Sequence, residues 1–537
     1  MYKRLYAVIG LSVACFSVVA GERVADSLQT SGPLNLIEAI EPWLTGDNAA
    51  GLYRWQWGGR SEALCYAGRK SGTLANYAEA ATSMHWGADV KAYRRLHARV
   101  AFYGRAGYEN VLGRSMGGSV WIRPYEAPFD LVETDRQTAG EKQLETYRLA
   151  GGVSVALNKR LSMGARLDYA ASNYAKRRDI RHVNTLMDLT LSVGTIYRLS
   201  KAWEMGASYA HCRNVEQLRF SLSGANEYPF SVLVSYGSFF GKMETTGGSD
   251  GYVKTQSTSS TPLYDGYHRF GLQLHGDGGA WMVHHEASFG LRKGYYGLEL
   301  PTTVSYSKHN GTEWGYRMRL DWRRNATLHS WSAWASCHSL DNYEQVYRHV
   351  VEEKEIKRIV YYDPLHVGER SRWQFGLHYR GMHNRYAAFP NWLWEAGLQS
   401  AIHRRKASVY PFYRKQNLYE GEAFFNLRHN RVWGIHQGGL AMGMSYRQGG
   451  GGLKTDGVYA TPSSNQQTPP TLNEVLAHEY AYITAQRMQV RLEATYGRQL
   501  GSVQGYFSLR YVGDRAFSSS LARSMRHSCD AAVGCRF

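Results

Sequence analysis

Two short runs hold the densest chemistry-bearing side chains of the chain, His275-Gly276-Asp277 and His284-His285-Glu286. Imidazole and carboxylate groups this close together suit metal ligation or proton transfer. On a strand, however, adjacent His284 and His285 point to opposite faces and cannot share one ion. His275-Gly276-Asp277 falls where a tight turn is expected, and there Gly and Asp serve the backbone. No serine sits in a nucleophile-elbow context, and no HExxH run occurs. Gly449 to Gly452 before Leu453-Lys454-Thr455 superficially matches a phosphate loop, but Leu453 stands where a glycine must precede the lysine, and Gly241-Lys242-Met243 fails the same test. The expectation is no catalytic residue, no metal and no cofactor. An enzyme here would need a triad assembled from separate strands.

A second set is basic. Lys and Arg number 63 against 45 Asp and Glu, a net charge of +18. Arg166, Arg317, Arg319, Arg323, Arg487 and Arg491 each alternate with apolar neighbours, as do Asp168, Glu313, Asp321 and Glu493. If this set lines a hydrated interior, its arginines would favour anions. Two blander readings compete: Asp168, Asp321, Glu313 and Glu493 neutralise them as ordinary filling, or the basic excess lies in loops and turns that meet lipid phosphates. Glu352-Glu353-Lys354-Glu355 with Lys357-Arg358 reads as a solvated mixed-charge loop.

The elements that would position these groups follow from period-two alternation. Trp314, Tyr316, Met318, Leu320 and Trp322 alternate with Glu313, Gly315, Arg317, Arg319, Asp321 and Arg323, a pattern that a strand, not a helix, sorts onto two faces. Leu161 to Tyr169, Met187 to Tyr197 and Met488 to Tyr496 repeat it. Such runs match the roughly 9–11 residues that cross a bilayer rather than the usual soluble strand. Mean hydropathy is −0.45, as a membrane barrel allows because only alternate residues face lipid. The 39 Tyr, 15 Trp and 56 Gly against 13 Pro fit that reading. Trp203, Trp281, Trp314, Trp322 and Trp373 are expected at the membrane interfaces.

Turn chemistry is asymmetric. Leu157-Asn158-Lys159-Arg160-Leu161 and Leu199-Ser200-Lys201-Ala202-Trp203 are similar short turns, each followed by Met-Gly-Ala, so the repeating unit is a hairpin. Further short turns are expected near Gly276 to Gly279, Arg324 to Ala326, His429 to Arg431 and Arg498 to Ser502. Long polar segments cover 111–144, 222–264, 340–368 and 449–479. Short periplasmic turns and long extracellular loops describe an outer-membrane barrel. The fold expected is all-β: one antiparallel up-and-down transmembrane barrel of about 18 strands, within a range of 14–18. A secreted sandwich or propeller is the alternative, but its polar face would not carry Arg317, Arg319, Asp321 and Arg323 on one strand.

Lys3 and Arg4, an apolar run from Leu5 to Ala20 and Val18-Val19-Ala20 read as a secretory signal peptide over 1–20; a lipoprotein anchor at Cys15 is the weaker reading, since Ser12 suits a lipobox poorly. Residues 21–59 would form a periplasmic segment, with a short helix over Gly32 to Trp43 at the barrel mouth, and 60–537 the barrel. Cysteines are isolated, and Cys529 and Cys535 lie too far apart on one strand to bridge. The last strand alternates into Phe537, which resembles the signal read by outer-membrane assembly machinery.

Asp47-Asn48-Ala49-Ala50-Gly51-Leu52, Met116-Gly117-Gly118-Ser119 with Pro128-Phe129-Asp130, Ser172 to Arg178, and Val234 to Lys242 resemble an uncharacterised family of Bacteroidetes-type outer-membrane β-barrel proteins. The resemblance spans most of the chain and implies the barrel and the cell outer membrane, with no activity to carry over. Asn48 to Leu52 is also similar to the Asn-Pro-Ala segment of long-chain fatty-acid transporter barrels, without its proline. The function expected is a passive porin-like or substrate-specific channel, gated by the long loops or by residues 21–50 and anion-preferring. Its partners would be outer-membrane lipid and lipopolysaccharide, the assembly machinery, and a small anionic or amphipathic solute; the compartment excludes nucleic acid. A structural, adhesin or secretion-accessory barrel is the alternative, and a membrane enzyme the third.

Overall fold

The computed structural model describes residues 33–134, 138–222, 230–248, 250–255, 260–299, 303–351, 357–384, 390–518 and 520–537. The expected signal peptide 1–20, with Cys15, and residues 352–356 of the expected mixed-charge loop lie outside these. β1 (Gly59–Gly72), β2 (Thr82–His97) and β3 (Val100–Met116) precede a short β4 (Asp130–Glu133). β5 (Gly140–Ala156), β6 (Leu161–Lys176), β7 (Arg181–Arg198) and β8 (Trp203–Ser221) lead to short β9 (Ser231–Gly237) and β10 (Phe240–Thr245). β11 (Thr261–Asp277), β12 (Trp281–Gly297), β13 (Ser305–Arg324) and β14 (Thr327–Glu344) come next, then the pair β15 (Tyr347–Val351) and β16 (Lys357–Tyr361). β17 (Leu365–His383), β18 (Trp392–Val409), β19 (Phe412–Trp433) and β20 (His436–Val458) follow, and β21 (Arg487–Leu500), β22 (Val503–Ala516) and β23 (Met525–Arg536) end the chain.

Eighteen of these strands form one antiparallel sheet in which each pairs with its sequence neighbour, and β1 pairs with both β2 and β23, closing the ring. Phe537 extends the closure by exchanging backbone hydrogen bonds with Ser61. Closure leaves no strand edge, the condition for a sheet to cross a bilayer. β4, β9 and β10 form a separate three-stranded sheet, and β15–β16 a projecting hairpin.

The outward face is apolar over one band. On β13 it runs Trp314, Tyr316, Met318, Leu320, Trp322, a rise of roughly 26 Å along the strand, and then turns polar at Thr312, Asn310 and Lys308. Trp314 is 59% exposed and Trp322 stacks on Trp281 at 5.4 Å. Trp314 and Trp373 thus mark the outer edge of the band, and Trp203, Trp281 and Trp322 the edge beside the short turns. Five outward-facing histidines have their Nδ1 bonded to a tyrosine on the next strand: Tyr209–His268, His285–Tyr316, His329–Tyr379, His436–Tyr496 and Tyr511–His527, all at 2.7–2.8 Å. Facing lipid, these five groups take protein partners in place of water.

The short turns gather at one end. In 157–161 and 199–203 the similarity has a physical basis: the Asn158 side chain accepts from Arg160 and Leu161 N–H, and Ser200 Oγ accepts from Ala202 and Trp203 N–H. One turn expectation is corrected. His429–Arg431 lies inside β19, where the lumen-facing Asn430 donates to the Pro390 carbonyl; the turn comes later, at Gly434-Ile435, with Gly434 at φ +59°. Loop bounds also shrink, because β3, β5, β14, β17 and above all β20 run past the membrane into the segments expected to be loops. Cys65, Cys212, Cys337, Cys529 and Cys535 are free thiols.

Candidate functional site

The lumen wall carries the residues singled out by alternation, and each arginine among them has a carboxylate within 4 Å. Arg166 makes a two-point bond with Asp168 (2.7 Å) and Arg319 with Asp321 (2.8 Å). Arg323 bonds Asp277 at 2.9 Å, Arg317 lies 3.6 Å from Glu286 and 3.9 Å from Asp47, and Arg487 lies 3.9 Å from Asp514. Arg491 lies 3.4 Å from Glu493, which also accepts from Arg428 and Arg510, while Glu313 is engaged by Arg269 and His338. Arg317, Arg319, Asp321 and Arg323 stand together, whereas Arg166–Asp168 and Arg487–Arg491 occupy other parts of the wall. Most of this charge is neutralised in place.

At the short-turn end, the N-terminal segment fills the mouth. α1 (Leu34–Ile40) and α2 (Pro42–Thr45) lead into a 3-10 turn over Ala49–Arg54. Trp43, 2% exposed, wedges between His275 and His284, ring centroids 5.8 and 5.0 Å away. The two histidine runs therefore seat a tryptophan: His284 faces in, His285 faces out. Asn48 donates to the Thr195 and Ala207 carbonyls and to Gln273, partners 147 to 225 residues away in sequence. Arg319 clasps the Ala39 and Ile40 carbonyls, Arg54 pairs with Glu204, and Trp55 stacks on Tyr93 at 4.3 Å. Gly164 and Gly194 face inward here, and any Cβ on them would fall inside Ala49 and Asn48 respectively. The wall is cut to fit this segment.

At the other end, the long connections fold inward as a cap. Val120, Trp121, Phe129 and Leu131 join Val232, Val234 and Tyr236 in a dry cluster with the wall residues Leu218, Leu263, Tyr296 and Val367. α3 (Asn473–Thr484) adds Leu476, packed on Val132, Leu233 and Phe239. Glu133 of the cap sits between Lys142 and Lys176 of β5 and β6, with both ammonium groups 0% exposed.

Asp130, also in the cap, accepts from Ser119 Oγ and Tyr77 OH. Burial pushes its carboxyl up to about 6 despite these bonds. A carboxyl that titrates higher folded than unfolded (3.8) binds its proton more tightly in the folded state. Its contribution to cap stability is therefore full below about pH 4, lost as the pH rises through about 6, and constant above. Hydrogen exchange over 119–133 is expected to quicken across that window in the wild type and to lose its pH dependence in Asp130→Asn, beyond the intrinsic exchange trend.

Among the described residues, one chamber opens beneath the cap and another beside the N-terminal segment, reaching toward the short turns. The outer, about 730 Å³, is lined among others by Arg269, Arg292, Arg370, Arg372, Arg405 and Arg447. Glu313, Asp265, Glu479 and Glu420 pair with four of these. Arg370 reaches only the Glu126 carbonyl, at 2.8 Å; Arg372, exposed to the chamber, has no ion pair or hydrogen bond among the described residues. The inner chamber, about 870 Å³, contains the Arg428–Arg491–Arg510 group around Glu493. Sequence reasoning missed Arg370 and Arg372, which lie just past the 340–368 segment read as loop, because no strand was read after it. Alternation from Gly368 through Gln374 was the available signal.

No curated protein matches the chain. Among solved structures it is similar to the ferric preacinetobactin receptor BauA of Acinetobacter baumannii, with 7% identity over 89% of this chain and 79% of that one and a TM-score of 0.39. The outer membrane transporter YddB of Escherichia coli is similar at 8% identity, covering 89% and 81%, TM-score 0.39. A mutant of the TodX monoaromatic hydrocarbon channel is similar at 10% identity, covering 96% and 99%, TM-score 0.32. A family model matches residues 49–537, the whole barrel and the end of the plug. This closed barrel of the outer membrane belongs to the family of unknown function DUF6850.

Proposed function

We propose that the barrel is a gated, substrate-specific passive channel for a small anionic or amphipathic solute. The carrying observation is a lumen that is neither open nor filled: one chamber lies beneath an apolar cap and another beside a segment seated in a cut recess. A dense core throughout would serve a purely structural barrel, and an open shaft a general porin. The likeness of Asn48 to Leu52 to fatty-acid transporter barrels suits a movable N-terminal segment, and the likeness of several segments to Bacteroidetes-type barrels supports the barrel and its membrane. In this reading Arg370 and Arg372 provide the anion preference, the chain catalyses no reaction, and its standing partners are lipid and the assembly machinery.

A unit charge about 6 Å from a passing anion in water contributes roughly 0.7 kcal/mol, about threefold in permeability. Arg372→Ala, measured in a plug-released background, is expected to lower the anion-to-cation permeability ratio by about that factor in planar bilayers. An unchanged ratio would remove Arg372 from the pathway. Silence of every plug-released variant would favour the alternative, a non-transporting barrel whose packed cap is its working surface.

A further inference from the structure

Outside the barrel, above the apolar band, a hollow of about 570 Å³ opens over β8 and β11–β14. Register places two rows of outward side chains across it. The lower row runs Arg213, Gly266, Lys293, Asn310 on β8, β11, β12 and β13. The upper runs Tyr264, Tyr295, Lys308, Tyr343 on β11 to β14. Gly266 has no side chain and makes the floor, so Arg213 and Lys293 flank an empty site from strands about 10 Å apart.

Inside the barrel nearly every arginine meets a carboxylate; here the rule fails. Arg213 and Lys293 have no ion pair or hydrogen bond among the described residues, and Lys308 has only the exposed Glu299, at 3.3 Å. Among the described residues these three cations make this one ion pair, and the nearby outward Asp341, across from Asn310, is engaged by His366 at 3.3 Å. Their height gives the reason. On β12 the outward residue below Lys293 is Leu291, and Phe289 and the neighbouring Phe270 continue the lipid-facing surface. The cations therefore stand where the headgroups of the outer leaflet begin. The Tyr264 and Tyr295 rings, 4.8 Å apart, offer flat faces of the kind on which sugar rings lie.

We propose that this hollow binds a phosphate of an outer-leaflet glycolipid, the phosphorylated glucosamine headgroup of lipopolysaccharide, with Arg213, Lys293 and Lys308 on the phosphate and the acyl chains along Phe270, Phe289 and Leu291. The inference rests on the membrane placement of the barrel and is independent of what passes through it.

The test uses the full barrel in detergent micelles, with retained lipid read by native mass spectrometry. The probes are bisphosphorylated lipid A, its dephosphorylated form and inorganic phosphate. Arg213→Ala/Lys293→Ala/Lys308→Ala is expected to weaken binding of bisphosphorylated lipid A by about tenfold or more. The control Arg404→Ala/Lys406→Ala, another outward basic pair, should bind like the wild type. Heat-dependent gel migration checks that both variants are folded. Undiminished binding by the triple variant, or equal binding of the dephosphorylated lipid by the wild type, would overturn the proposal. So would displacement of the lipid by inorganic phosphate at equal phosphate concentration, which would mark a free-anion site.

Discussion

Trp43→Ala is expected to open the periplasmic mouth. A buried tryptophan truncated to alanine typically costs about 3–5 kcal/mol, and here the loss falls on docking of the N-terminal segment, because His275 and His284 remain in a wall held by its own ladder. A change of that size shifts the docked-to-released ratio by roughly two to four decades. In planar bilayers the variant should show frequent stepwise conductance where the wild type is nearly silent. Gly194→Val should do the same by another route, since any side chain there occupies the space of Asn48. Gly151→Val is the matched control, because Gly151 has nothing within 4 Å of an added Cβ. Heat-modifiable migration should persist in all three. If both plug variants stay as quiet as the control, the segment is not a gate.

The second large effect concerns the cap. Glu133→Gln leaves the Lys142 and Lys176 ammonium groups buried without a counter-charge. Breaking a buried ionic cluster by removing one member costs on the order of 3–5 kcal/mol. The expected result is local: faster hydrogen exchange and external proteolysis across 118–134 and 231–245, with the barrel ladder unchanged. Replacing the whole cluster by apolar residues, Lys142→Met/Glu133→Leu/Lys176→Met, should recover most of the loss, since desolvating the charges is what makes their separation costly. Failure of that rescue would show that Glu133 acts through shape or hydrogen bonding instead.

The barrel was legible because its cause is local. Alternation along Trp314–Trp322 needs no knowledge of the rest of the chain, and Asn158 and Ser200 announce their turns within four residues. Eighteen strands, within the range expected, follow from counting such runs. The plug and cap were illegible for the opposite reason. Asn48 finds its partners more than a hundred residues away, and nothing in Gly164 or Gly194 shows that the missing side chains make room for a distant segment. The cap left a fainter trace: Val232-Leu233-Val234 is a short apolar run inside a stretch read as polar loop, and its partner is the equally inconspicuous Leu131-Val132. His429–Arg431 misled because a lumen-facing Asn430 between outward His429 and Arg431 at the edge of the apolar band looks like a polar turn. The arginine set was found, but its neutralisation depends on cross-strand neighbours such as Arg269 for Glu313, which spacing along one strand cannot reveal.

The plug joins β1 directly, yet it is held by β2, β5, β6, β7, β8, β11, β12 and β13, and β1 itself must wait for β23 to close the ring. Its recess exists only after those strands have met, so loop-closure entropy opposes docking until late in assembly. During biogenesis, then, the vessel is built before it is corked: each newly closed barrel passes through an interval with its inner end unsealed, whose length is set by how quickly some twenty residues find their recess.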